Sequence, residues 1–85
     1  MAYRLTIDPA TVRELKKLDP KIRQTVASAI NALANDPRPD GVRKLSGSKD
    51  SYRIRAGDYR ILYRIADHEL LVLVVKVGHR RDVYR

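Results

Sequence analysis

Tyr3-Arg4-Leu5-Thr6-Ile7 alternates apolar and polar residues with period two, which predicts a short strand with one buried face. Asp8-Pro9 then offers a capping side chain followed by proline at the first helical position, and Val12, Leu15 and Leu18 follow at helical spacing. The expectation is a short amphipathic helix over residues 9–18. Asp19-Pro20 repeats the start signal, and Ile22, Val26, Ala29, Ile30 and Leu33 form one apolar stripe. That second helix should stop near Asn35, because Asp36 precedes Pro37 and is pushed out of the helical region. Two helices so closely joined suit an antiparallel hairpin.

Residues 36–41 and 46–48 read as irregular chain, being rich in Pro, Asp, Gly and Ser. A strand at 52–56, a turn at Gly57 and Asp58, and a strand at 59–66 follow. Residues 67–69 turn the chain into a Leu/Val run over 70–77, fit for a central strand buried on both faces. Gly78 ends it, leaving a charged tail from His79 to Arg85. The element order is β-α-α-β-β-β, an α+β fold in which a helical hairpin covers one face of an antiparallel sheet. With 85 residues and no linker or repeat, one domain over residues 1–85 is expected.

Composition narrows the chemistry. The absence of cysteine removes disulfides, thiolate metal sites and thiol nucleophiles, and two histidines make a poor metal cage. No metal and no cofactor are expected. No apolar run reaches a membrane span and the start lacks a signal-peptide core, so the expected compartment is the cytoplasm. Charge is more telling: 18 Lys and Arg against 10 Asp and Glu give +8. The excess lies mostly in the second half, where residues 43–85 carry eleven basic and five acidic side chains. Arginine's planar fork suits phosphate, so the field points to a polyanion or to an acidic protein that masks it. A solvated basic surface is the plainer alternative.

If Gly57-Asp58 is the two-residue turn of a hairpin, Ala56 opposes Tyr59, Arg55 opposes Arg60, and Tyr52 opposes Tyr63. Strand alternation then sorts the side chains. Tyr52, Ile54, Ala56, Tyr59, Ile61, Tyr63 and Ile65 face the helices, and Arg53, Arg55, Arg60 and Arg64 share the other face with Leu62. Like charges placed opposite each other destabilise a sheet pair, so a single-sign patch points to an anionic ligand. The tail adds His79, Arg80, Arg81 and Tyr84, and Arg80 can join the patch if the chain folds back over the sheet.

The run Tyr52-Arg53-Ile54-Arg55-Ala56-Gly57-Asp58-Tyr59-Arg60-Ile61-Leu62-Tyr63, followed by Val77-Gly78-His79-Arg80-Arg81-Asp82-Val83-Tyr84-Arg85, closely resembles the RelE toxins of the RelE/ParE superfamily. The resemblance spans essentially the whole chain, including Arg43-Lys44-Leu45-Ser46-Gly47. It implies the toxin of a type II toxin–antitoxin system, an endoribonuclease that cuts mRNA in the ribosomal A site and so inhibits translation. By the same resemblance Arg53 and Arg55 take the two basic positions of the first hairpin strand. Arg60 takes the Gly-Asp-Tyr-Arg arginine, Arg80 the arginine after Val-Gly-X, and Tyr84 the C-terminal catalytic tyrosine. His79 falls where the family varies. Arg53, Arg55, Arg64 and Arg81 are the expected RNA contacts. The implied partners are a cognate antitoxin, the ribosome with its mRNA, and operator DNA only through the toxin–antitoxin complex, with no membrane.

The implied reaction is attack of a ribose 2′-OH on its adjacent phosphate, giving a 2′,3′-cyclic phosphate and a 5′-OH. It needs a base, an acid and charge stabilisation of the phosphorane. Arg53, Arg55 and Arg60 suit the last task. The proton transfers are harder, since a phenol titrates near ~10 and a guanidinium above ~12. A crowd of arginines favours the phenolate, making Tyr84 a base and Arg80 an acid. His79 is the rival, because imidazole ordinarily titrates near neutrality. Two other functions stay open at this point: a ParE-like inhibitor of gyrase, and a non-catalytic basic module that binds nucleic acid.

Overall fold

The computed structural model describes residues 2–79 and residue 81. In chain order the elements are β1 (Arg4–Ile7), α1 (Pro9–Lys16), α2 (Pro20–Ala32), β2 (Arg43–Lys44), β3 (Ser51–Ala56), β4 (Tyr59–Ala66), a 3-10 turn (Asp67–Glu69) and β5 (Leu71–His79). The strands form one sheet in the order β1-β5-β4-β3-β2. The α+β order expected from the pattern is present, with a two-residue strand added where the sequence reads as loop. β2 is too short for any periodicity to mark it.

Both helix starts follow from their aspartates. Asp8 Oδ1 accepts the N–H of Ala10 at 2.9 Å and Asp19 Oδ1 that of Lys21 at 3.0 Å, each ahead of a proline at the first turn. α1 lies over β5 and α2 over β3 and β4. Val26 and Ile30 of α2 and Leu33 at its C-terminal cap are buried against Ile54, Ile61, Tyr63, Ile65, Val72 and Val74, so one sheet face carries the core. The stripe on α2 begins outside that core, because Ile22 at the first turn is 36% exposed.

Three features depart from the pattern. The pair β1–β5 runs parallel, with Leu5 beside Val72 and Ile7 beside Val74, so the sheet is mixed rather than wholly antiparallel. The Leu/Val run is buried on one face only: Val72, Val74 and Val77 point to the helices while Val75 is 37% exposed. A register shift separates the pairs Leu62–Lys76 and Tyr63–Val74, leaving Val75 as the extra residue of a β-bulge. Its carbonyl accepts a hydrogen bond from the Thr11 hydroxyl at 3.0 Å, which ties α1 to the bulge. The bulge also reverses the alternation of everything that follows it in β5.

The segment between α2 and β2 is held by polar contacts. Tyr63 is fully buried and its hydroxyl donates to the Pro37 carbonyl at 2.7 Å. Arg38 forms a two-pronged contact with Asp67 at 3.1 and 2.9 Å, and its guanidinium lies over the Tyr52 ring, 5.2 Å from the centroid. Tyr3 adds a hydrogen bond to Asp67 at 2.7 Å. The Arg38 contact, with help from Tyr3, holds the Asp67 carboxyl down at about 2. No helix among the described residues is long and apolar enough to cross a membrane.

Candidate active site

The β3–β4 hairpin has the register its turn residues imply: Ala56 faces Tyr59, Arg55 faces Arg60 and Tyr52 faces Tyr63. Gly57 takes φ +61, as the first position of a two-residue II′ turn requires, and Asp58 does not share the positive φ. Asp50 C=O accepts from Ile65 N–H on the β4 side, and Ser51 C=O accepts from Leu45 N–H on the β2 side. Backbone groups alternate along a strand, so those of Arg53 and Arg55 also point away from β4. Arg55 and Arg60 therefore meet at a non-hydrogen-bonded pair, where Cα atoms are only about 4.5 Å apart and side chains lie closest.

The face away from the helices thus gathers Arg53, Arg55 and Arg60, and β2 brings Arg43 opposite Arg53. Arg55 is exposed and Arg53 half-buried, but Arg60 is only 7% exposed. Its Nε is buried and makes no hydrogen bond. Burial, followed by the charges of Arg60, Arg55 and Arg43, lowers the affinity of the Arg53 guanidinium for its proton. Four like charges are therefore packed on adjacent strands with one of them driven inward. Beyond Arg43 the chain leaves β3, as Val42 N–H turns back to the Pro39 carbonyl. A groove of about 480 Å³ opens along that uncovered edge, with Arg43, Arg53 and Arg55 beside Ala29, Ala32 and Asp40.

The other expected residues divide. Arg64 shares the face, but its guanidinium contacts Asp50 at 3.0 Å, so a carboxylate already answers its charge. Arg81 is exposed, and its backbone N–H donates to His79 Nδ1 at 3.3 Å. His79 does not join the arginines. It pairs with Tyr59 in the ladder and packs edge-on against that ring, 5.5 Å between centroids, on the helix side of the sheet. Arg80 and Tyr84 lie outside the described residues. Among those described, no group of three or more His, Cys, Asp or Glu side chains could hold a metal ion.

Arg43 is the residue that the pattern missed. It stands in a stretch noted only for its resemblance, and no alternation betrays a strand of two residues. Chemically, the face offers fixed positive charge at close range. Among the described residues it carries no group that takes up or gives a proton near neutrality. Fixed positive charge of this kind suits the stabilisation of an anion.

Comparison with known proteins places the fold and the sequence in a family. The family model described as the ParE toxin of the type II toxin–antitoxin system parDE matches residues 5–84. Toxin RelG of Mycobacterium tuberculosis is 36% identical over 100% of this chain and 99% of its own. The mRNA interferase toxin RelE of Escherichia coli is 33% identical over 99% of this chain and 92% of its own. Among solved structures, the archaeal RelE–RelB complex from Pyrococcus horikoshii superposes with a TM-score of 0.85 at 28% identity, covering 98% of this chain and 100% of that one. The intact Escherichia coli RelBE toxin–antitoxin complex gives 0.78 at 31% identity, covering 92% and 96%. The class defined by fold and basic face is that of the small toxins of type II toxin–antitoxin systems. Within it, the chain belongs to the RelE/ParE superfamily.

Proposed function

We propose that this chain is the toxin of a type II pair and that it cleaves mRNA on the ribosome, in the A site. The observation that carries the reading is Arg60: a guanidinium 7% exposed, among like charges, with a buried donor unfilled. Such a group is costly in the protein alone and well suited to a phosphorane, whose charge reaches its maximum in the transition state. Arg53 and Arg55 flank it, and Arg43 extends the charge toward the groove. The 2′-OH attacks the adjacent phosphorus, the P–O5′ bond breaks, and the products are a 2′,3′-cyclic phosphate and a 5′-OH.

Tyr84 is assigned the proton from the 2′-OH and Arg80 the proton to the leaving 5′-oxygen. His79 is withdrawn from this role, since its ring faces the helices. Neither a phenol nor a guanidinium is well matched to proton transfer at neutral pH, so alignment of the substrate by the ribosome supplies part of the rate. The RelB-bound neighbours support an antitoxin partner for this chain. An acidic segment that orders on binding would answer both the basic face and the uncovered edge of β3.

A defined translating ribosome with end-mapped mRNA tests the reading. Cuts in the A-site codon are expected. Intact mRNA together with cleaved DNA in a gyrase assay would transfer the chain to the ParE activity, which the family model's name keeps in view. Intact RNA and DNA would leave a binding module.

A further inference from the structure

The bulge at Val75 also changes the arginine face. Lys76 pairs with Leu62, Leu62 with Arg53, and Arg53 with Arg43. Directly opposed residues share a face of the sheet, so Arg43, Arg53, Leu62 and Lys76 form one row across β2, β3, β4 and β5. Strands lie about 4.8 Å apart, which makes the row about 14 Å long, with a cation at each end and an apolar side chain within it. Arg55 and Arg60 form the next row toward the hairpin turn, and that row ends at Gly78, which adds no side chain. Lys76 is exposed, and none of the ion pairs among the described residues includes it. Among the described residues, none of the five strands contains an aspartate or a glutamate. A face that meets only solvent usually mixes both signs of charge, whereas here Lys76 adds a further cation across Leu62 from Arg53.

We infer that the RNA strand crosses the sheet along this row, and that Lys76 binds the phosphate next to the scissile one. The inference rests on the reading above, which puts the scissile phosphate at Arg53, Arg55 and Arg60. It adds the direction of the strand and a contact on β5. From the three arginines, positive charge continues across the sheet, to Arg43 on one side and Lys76 on the other. It does not continue along the strands. Arg64 is held by Asp50 at 3.0 Å in one direction, and the turn at Gly57-Asp58 brings an acid in the other. A single-stranded polyanion follows the line of positive charge, here at right angles to β3, β4 and β5. Leu62 offers an apolar surface to the ribose and base between the two phosphates. The Lys76 ammonium, on its flexible stem, meets the second phosphate as a point charge.

Two binding experiments test this, both with cleavage blocked by 2′-O-methyl riboses. In the first, the free protein binds a short 2′-O-methyl uridine oligonucleotide over a range of salt. Lys76→Gln should lower the log–log slope by about 0.7, the share of one phosphate, and weaken binding about fourfold at about 0.15 M salt. Lys76→Arg should keep both. Lys16→Gln removes the same charge from an exposed position on α1, on the helix side, and should change the slope much less. Equal effects of Lys76→Gln and Lys16→Gln would reduce Lys76 to a share of the net charge and overturn the inference. Weaker binding of polyglutamate by Lys76→Gln, with oligonucleotide binding unchanged, would overturn it in favour of an acidic protein. In the second, translating ribosomes carry a 2′-O-methylated A-site codon in which one linkage at a time is a neutral methylphosphonate. Replacing the linkage on one side of the scissile one should weaken the wild type about fourfold and Lys76→Gln no further. Equal weakening of both proteins at every linkage would take Lys76 off the path of the strand. If the wild-type chain cuts no unmodified ribosomal mRNA, the nuclease reading fails by itself, and the oligonucleotide slope alone decides whether Lys76 contacts RNA.

Discussion

Replacing Arg60 by methionine should make the protein more stable and less active at once. The substitution keeps an unbranched stem in the buried position and removes the guanidinium. Two costs then disappear. Opposed like charges in a sheet cost from a few tenths up to about 1 kcal/mol, and Arg60 faces Arg55 at the closest type of pair. A buried donor without a partner costs about 1–3 kcal/mol, and Arg60 Nε is such a donor. Even with part of this returned through imperfect packing of the methionine, a gain of about 1 kcal/mol is expected, raising Tm by roughly 4–8 °C in a chain of this size. Cleavage should fall by about 10²–10³-fold at saturating ribosomes, the usual loss on removing one donor aimed at transition-state charge. Calorimetry and single-turnover end mapping read the two effects, and a titration with inorganic phosphate should raise Tm of the wild type more than that of the variant. A lower Tm in Arg60→Met would show that the buried guanidinium is structural. A higher Tm with cleavage intact would place the phosphate site elsewhere.

Salt dependence of ribosome or RNA binding should be steep, and Arg53→Gln with Arg55→Gln should lower the log–log slope by about 0.7 for each phosphate of single-stranded RNA no longer neutralised. Arg64→Gln should change that slope less, because Asp50 already holds the Arg64 charge. Asp67 contributes to acid stability. Its folded-state value near 2 lies below the ordinary carboxylate value of about 3.9, so its stabilising contribution is complete above about pH 4 and fades as pH falls toward 2. Asp67→Asn should therefore flatten the acid limb of an unfolding curve, and an unchanged limb would remove Asp67 from the explanation. Tyr84→Phe should bind ribosomes normally and lose about 10²–10⁴-fold in cleavage, the range of a general base. Normal cutting by that variant would end the assignment of Tyr84.

The hairpin was fully legible because its information is local. A Gly-Asp turn and period-two alternation determine which residues oppose each other and which face they take, and no distant contact is needed to decide it. Arg60 was legible as a surface charge and not as a buried one, since alternation gives the face of a residue but not how deeply its neighbours cover it. β5 illustrates the limit best. In Leu70-Leu71-Val72-Leu73-Val74-Val75 every position is apolar, so the run carries no mark of which side is inward, and an inserted residue leaves no trace. Only Lys76 could have given it away. Strict alternation from Val72 and Val74 would drive Lys76 into the core, at a desolvation cost no partner there could offset. The bulge at Val75 avoids that by moving Val77 inward instead. The same shift by one residue carries His79 to the helix side, away from Arg53, Arg55 and Arg60. One lysine in an apolar run therefore decides which residues can share the arginine face, and a chain with Lys76 replaced by valine loses the reason to keep His79 behind the sheet.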